Sequence, residues 1–237
     1  MLWEEKTQPD GSVITYSYSG NTTTITDEAG KVRRNVTDGL GRLTSVIEDP
    51  NGVNYETDYT YDCLSNLTSV NQKGSAPGDS SQWHTRTSAY DSLSRLTSAN
   101  NPESGHTGYT YDNDGAVISR VDNAGQTTQY TVDALHRVTK KHYLNTYYGD
   151  ADILYCYDNV QTSCGTASVS NGIGRRTGMA DASGKTGWSY DVMGRVLQEA
   201  KTISGVSKSL SYSYNVDGSL SMLTLPSGDQ SNVLINS

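Results

Sequence analysis

The stretch Tyr59-Thr-Tyr-Asp-Cys-Leu-Ser-Asn-Leu-Thr-Ser69 decides the fold. Tyr59 and Tyr61 stand two residues apart, so on an extended strand they project from one face. Asp62 then offers a carboxylate to backbone N–H groups at the start of a turn. Leu67 lies five residues further on, where a returning strand needs a buried side chain. The stretch therefore reads as one β-hairpin: aromatic strand, acidic turn, aliphatic return.

The same pattern recurs along the chain. It is nearly intact in Tyr90-Asp-Ser-Leu-Ser-Arg-Leu-Thr-Ser98 and in Tyr190-Asp-Val-Met-Gly-Arg-Val196, with weaker copies starting at Tyr109, Tyr130 and Tyr212. Repetition of a short unit takes precedence over any single motif when a fold is assigned. Taking the acidic or amide residue as anchor gives Asp38, Asp62, Asp91, Asp112, Asp133, Asn171, Asp191 and Asn215. Three residues after the anchor stand Gly41, Gly115, Gly174, Gly194 and Gly218, the signature of a type I turn whose last residue takes positive φ. Ser65, Ser94 and His136 fill that slot elsewhere and are expected to be strained or to use another turn. Five residues after the anchor the side chain is Leu43, Leu67, Leu96, Val117, Val138, Val196 or Leu220, with Arg176 the exception. Arg42, Arg95, Arg137, Arg175 and Arg195 precede that position, and simple alternation sends them to the opposite face from the aliphatic residue. The paired tyrosines are expected to stack on tyrosines of neighbouring strands.

A second set of turns closes the units: Asp27-Glu-Ala-Gly30, Asp49-Pro-Asn-Gly52, Pro102-Glu-Ser-Gly105, Asp122-Asn-Ala-Gly125, Asp181-Ala-Ser-Gly184 and Pro226-Ser-Gly228. One hairpin starts at Tyr155-Cys-Tyr-Asp158, is interrupted by an inserted loop over 159–170, and resumes at Asn171. The Gly-, Ser- and Pro-rich stretch Gln72 to Gln82 reads as another long loop. No segment sustains a 3.6-residue apolar period. The expected fold is thus all-β: consecutive antiparallel β-hairpin repeats, about eight over residues 1–237, forming one continuous curved or spiralling sheet.

Composition fits a thin sheet. There are 17 Tyr and no Phe, and tyrosine covers area while keeping its hydroxyl within reach of water or a partner. A net charge of −8 argues against a nucleic-acid binder, which needs a basic stripe to release counterions from phosphate. No apolar run approaches the roughly 20 residues of a membrane helix, so no membrane span is expected.

With these motifs in hand, the chain resembles the YD-repeat, or RHS-repeat, family of bacterial RHS polymorphic toxins, the B and C components of insecticidal toxin complexes, and teneurins. The resemblance covers roughly Tyr16 to Gly228. It rests on the repeat residues Tyr59, Tyr61, Asp62, Leu67, Tyr90, Asp91, Arg95, Leu96, Tyr109, Tyr111, Asp112, Gly115, Tyr190, Asp191, Gly194 and Arg195. It implies a sheet that spirals into a hollow shell around a C-terminal toxin or effector, the expected partner alongside neighbouring repeats. It further implies a secreted or bacterial cell-surface setting. The family's terminal core-associated segment has no match here, so the chain reads as a shell excerpt without cargo. Open strand edges in such an excerpt are expected to favour self-association.

Enzymatic chemistry finds little footing. Ser183-Gly-Lys-Thr186 imitates the end of a phosphate loop, but Met179 stands where the first glycine belongs and a strand, not a helix, follows. His84, His106, His136 and His142 lack partners at metal-ligand spacing, and no Gly-x-Ser-x-Gly elbow occurs. The expectation is a non-enzymatic chain with no cofactor and no metal. Cys156 and Cys164 either bridge the base of the inserted loop or remain thiols, while Cys63 is a turn residue. The alternative function is a carbohydrate-binding or adhesion surface of tyrosines and acidic side chains.

Overall fold

The computed structural model describes residues 2–144, 151–164, 169–226 and 230–232. Parts of the inserted loop (165–168) and of the Pro226-Ser-Gly228 turn lie outside the described residues. The protein is all-β. Its strands are β1 (Leu2–Thr7), β2 (Val13–Ser19), β3 (Thr22–Thr26), β4 (Val32–Thr37), β5 (Leu43–Glu48), β6 (Tyr55–Tyr61), β7 (Leu67–Gly74), β8 (His84–Tyr90), β9 (Leu96–Asn101) and β10 (Gly105–Tyr111). They continue with β11 (Val117–Val121), β12 (Thr127–Val132), β13 (Val138–Leu144), β14 (Ala151–Tyr157), β15 (Arg176–Asp181), β16 (Gly184–Tyr190), β17 (Val196–Ile203), β18 (Val206–Tyr214), β19 (Leu220–Thr224) and β20 (Gln230–Asn232). Single 3-10 turns occupy Ser80–Gln82 and Thr162–Cys164.

The chain divides into two compact units, one formed by residues up to Tyr109 with Asp122–Ala124, the other by Thr110–Val121 and the residues from Gly125 on. Each is an antiparallel meander. In the first unit every strand from β1 to β10 pairs with the next, as in Tyr59 opposite Val70 and Tyr61 opposite Leu67. In the second the ladder runs from β11 to β20 in the same way. Within such a meander the Tyr-Asp turns, which all join an even-numbered strand to the next odd one, fall on one rim.

A feature that alternation alone does not foresee repeats in these hairpins. Opposite the last strand residue the register slips by one, so that Thr60 faces Ser69 while Tyr61 faces Leu67, leaving Thr68 as a β-bulge. Equivalent bulges occur at Thr44, Thr97, Thr139, Thr177, Leu197 and Ser221. The threonine in the repeat now has a reason: the hydroxyls of Thr44, Thr68 and Thr139 donate across the bulge to the carbonyls of Val36, Thr60 and Thr131 at 3.2, 3.0 and 3.2 Å.

Little is fully buried. Among the described residues only Val46, Cys156, Cys164 and Ala180 form the apolar core, with Thr107, Thr128 and Thr177 as buried polar partners. The expected long loop at Gln72–Gln82 is shorter than the composition suggests, because β7 keeps pairing through Gln72, which faces His84, and ends only at Gly74.

Candidate functional site: the staple between hairpins

The Tyr-Asp turn is built around one carboxylate. In the first copy, Asp38 Oδ1 accepts the N–H groups of Leu40 and Arg42 at 2.9 and 3.0 Å, and Asp38 Oδ2 accepts Arg42 Nε at 2.7 Å. Asp91 does the same for Leu93 and Arg95, Asp133 for Leu135 and Arg137, and Asp191 for Met193 and Arg195. Asp62 closes its turn on Leu64 and Asn66, and Asp112 on Asp114 and Ala116, followed by Gly115 at φ 91°. At Asp38, Asp62, Asp91 and Asp133 these bonds favour the ionised form. The Arg42 side chain above all holds Asp38 below the usual carboxylate range, and the Arg95 and Arg137 backbone N–H groups do so for Asp91 and Asp133.

The arginine so oriented reaches the next hairpin. Arg42 Cζ lies 4.8 Å from the Tyr61 ring centroid, Arg137 4.4 Å from Tyr157, and Arg195 4.6 Å from Tyr214. Each of those tyrosines donates its hydroxyl to the carbonyl of the residue after that arginine: Tyr61 to Leu43 at 2.9 Å, Tyr157 to Val138 at 3.0 Å, and Tyr214 to Val196 at 2.8 Å. Tyr190 reaches back in the same manner to the Arg176 carbonyl beneath Arg175. Asp, Arg and the next Tyr thus form a staple that ties one turn to its neighbour. Arg42 also donates to the Asp62 carbonyl at 3.1 Å, which extends the link to the next turn's backbone.

The partner that sequence spacing does not disclose for the second tyrosine is thus the guanidinium of the preceding hairpin, which lies over the rings of Tyr61, Tyr157 and Tyr214 while their hydroxyls are drawn back to carbonyls.

Ser65, Ser94 and His136 adopt φ of 67°, 60° and 59° and so make the same turn as the glycines, bearing the left-handed strain. Tyr59, Tyr90 and Tyr190 stand opposite Val70, Leu96 and Val196, and Tyr109 and Tyr111 lie on β10. Gly194 closes its turn at φ 86°.

The interrupted hairpin keeps the geometry with a different anchor from the one expected. Asp158, not Asn171, closes the turn: its N–H donates to the Arg175 carbonyl at 3.0 Å and its carboxylate accepts Gly174 N–H at 2.7 Å. Arg137 binds both Asp133 and Asp158, at 2.7 Å each. Asn171 instead donates to the Tyr190 carbonyl at 2.9 Å. Cys156 and Cys164 are joined by a disulfide, with Cα atoms 6.1 Å apart, inside the range such a bond spans. The bridge holds the 3-10 turn of the insert on the sheet, beside fully buried Thr177, whose hydroxyl donates to the Asn159 carbonyl at 3.0 Å. Beside it lies an open cleft of about 350 Å³ lined by Arg137, Lys140, Tyr155, Asp158, Gln161 and Ser163 among others.

The motifs weighed for chemistry lie on strands and in turns. Asp181 caps the turn at Ser183 and Gly184, and Lys185, on β16, donates to the Thr162 carbonyl at 3.2 Å. His84, His106 and His142 lie on strands and His136 in a turn, and His142 Nδ1 is 2.6 Å from Asp152 across the β13–β14 pair, a contact that sequence spacing does not reveal. Among the described residues no three His, Cys, Asp or Glu side chains gather to hold a metal, and no helix is long and apolar enough to cross a membrane.

No family model and no curated protein matches the chain. Solved structures do. The crystal structure of TcdB2-TccC3 aligns with TM-score 0.74 at 13% identity over 95% of this chain, and the same assembly with Cdc42 with 0.73 at 13% over 96%. A mutant Tc holotoxin pore of Photorhabdus luminescens aligns with 0.74 at 13% over 97%. In each case the match takes in only 13% of the neighbour's chain. The chain is therefore similar in fold to a short stretch of the TcdB2-TccC3 assembly of Tc toxins.

Proposed function

We propose that this chain is a segment of wall in an exported YD-repeat shell that encloses a toxin or effector carried C-terminal to it, and that it acts without turnover. The single observation behind the reading is the recurrence of the Asp–Arg–Tyr staple. The same three groups link successive turns in both units, and they are spent on sheet cohesion. A wall needs cohesion repeated along its length; a catalyst needs one exceptional cluster. The likeness in fold to Tc toxin structures supports the same reading.

A glycan-binding sheet is the rival. Sugar rings stack on open aromatic faces, but Tyr61, Tyr157 and Tyr214 already carry a guanidinium on the ring, and Arg176 lies 4.9 Å over Trp188. That occupancy favours the wall.

The test is limited proteolysis of the full gene product that contains this segment. The polypeptide C-terminal to the repeats is expected to resist cleavage until the sheet is unfolded. Cleavage of that polypeptide at the rate of its isolated form, with the repeats intact, would remove the containment reading. Turnover of a peptide, ester or glycoside by the pure chain would remove the non-enzymatic one.

A further inference from the structure

We infer that Lys73 and Asp58 condense to an intramolecular isopeptide bond, with Glu56 moving the protons, so that β6 and β7 are joined by a covalent amide at the end of the hairpin away from its Tyr-Asp turn.

One hairpin departs from the repeat. The described Tyr-Asp hairpins each carry a bulge beside the turn, but β6–β7 carries a second: Glu56 faces Gly74 and Thr57 faces Gln72, which leaves Lys73 as the extra residue. A bulge re-aims a side chain and recurs next to reactive sites. Here it brings the amine to the two carboxylates that stand two residues apart on β6, on one face of the strand. Lys73 Nζ lies 2.6 Å from Asp58 Oδ2 and 2.8 Å from Glu56 Oε1.

The surroundings suit condensation. The Trp83 ring covers the amine at 5.0 Å, and its Nε1 donates to the Ala76 carbonyl at 3.4 Å, which ties the indole to the loop before β8. The Lys73 side chain is 13% exposed and that of Asp58 31%, so the amine lies under cover while the carboxyl opens toward solvent, where the released water goes. An ion pair needs one carboxylate; two meet this amine, and the second is left to carry protons. Asp58 Cγ is at most one C–O bond beyond Oδ2, near the about 3–3.5 Å from which positioned groups react. Such positioning equals an effective concentration of about 10⁵–10⁸ M, which favours an amide that a free amine and a free acid would not form in water.

The step needs no other reactant. One proton passes from Lys73 Nζ to the Asp58 carboxylate, and the nitrogen lone pair attacks Cγ. Glu56 takes a second proton from the nitrogen and delivers it to the departing hydroxyl. An N–C bond forms, a C–O bond breaks and one water leaves. Burial works against the Lys73 ammonium, but its bonds to Asp58 and Glu56 outweigh burial and hold its pKa above the usual lysine value. The reacting free amine is therefore scarce at neutral pH, and closure is slow.

Intact-mass spectrometry of the pure chain during prolonged incubation, read after reduction of the Cys156–Cys164 disulfide, tests this. The parent is expected to fall below its sequence mass by one water, and its digest to contain a branched peptide that joins Asp58 to Lys73. Lys73→Arg and Glu56→Gln are expected to keep their full mass. Asp58→Asn is expected to lose one ammonia in place of water, a signature that an ion pair does not give. Circular dichroism checks that each variant is folded. A parent that keeps its full mass, a loss of water that survives in Lys73→Arg, or closure of folded Glu56→Gln at the parent's rate would overturn the proposal.

Discussion

The Tyr157 hydroxyl donates to the Val138 carbonyl at 3.0 Å while its ring sits 4.4 Å beneath the Arg137 guanidinium carbon. One side chain thus reads both the backbone and the arginine of the preceding hairpin. The same relation links Tyr61 to Leu43 and Arg42, and Tyr214 to Val196 and Arg195.

Removing only the hydroxyl isolates one half of this relation. Tyr157→Phe is expected to destabilise the second unit by about 1 kcal/mol, the net worth of a neutral hydrogen bond, while Tyr157→Leu costs more because the ring contact goes too. Urea denaturation of the two variants checks the order. Equal losses would show that the ring contact contributes nothing.

The strained turns offer a gain. Ser65, Ser94 and His136 hold left-handed φ without being glycine, a conformation that costs an L-residue roughly 1–2 kcal/mol. Each change to Gly is expected to raise stability by about 0.5–1 kcal/mol after the added unfolded-state entropy of glycine is subtracted. Thermal melts decide it. Gly41→Ser in the first copy is expected to run the other way.

Stability should fall in acid with a definite sign. Asp38, Asp91 and Asp133 have folded pKa values below the ordinary 3.8, from hydrogen bonds to the Arg42 side chain and to the Arg95 and Arg137 backbone. Their contribution is fully present above that ordinary value and is lost as pH drops through the depressed ones. Denaturation midpoints measured from pH 7 downward are expected to stay level from these groups until about pH 4 and to drop below it. A midpoint that rises on acidification would contradict the ionised anchors.

The disulfide makes its own prediction. Closing a loop eight residues apart in sequence is worth about 2.5 kcal/mol in the chain-entropy account. Cys156→Ser/Cys164→Ser, or reduction of the parent, should lower the melting temperature, with the loss in hydrogen exchange concentrated at Thr177 and its neighbours.

Much of this was legible in the residues, and the reasons for the rest are physical. Tyr59, Tyr61, Asp62 and Leu67 mark strand, turn and return strand because period-two alternation and turn chemistry are local. The partner of Tyr61 is not local: Arg42 and Leu43 lie a full hairpin earlier, and only the pairing of β5 with β6 brings them within reach. The bulge at Thr68 leaves no mark in the residues, because a threonine is at home in any strand. Asp158 is not legible as an anchor because its Gly174 and Arg175 stand beyond the insert, where spacing no longer reports on geometry.

The arginine of one turn and the tyrosine of the next act as one unit, and a double-mutant cycle on Arg137→Met and Tyr157→Phe measures their coupling. The predicted result is non-additivity: the double variant loses clearly less stability than the sum of the two single losses. Strict additivity, with all variants folded, would show that the two side chains act independently.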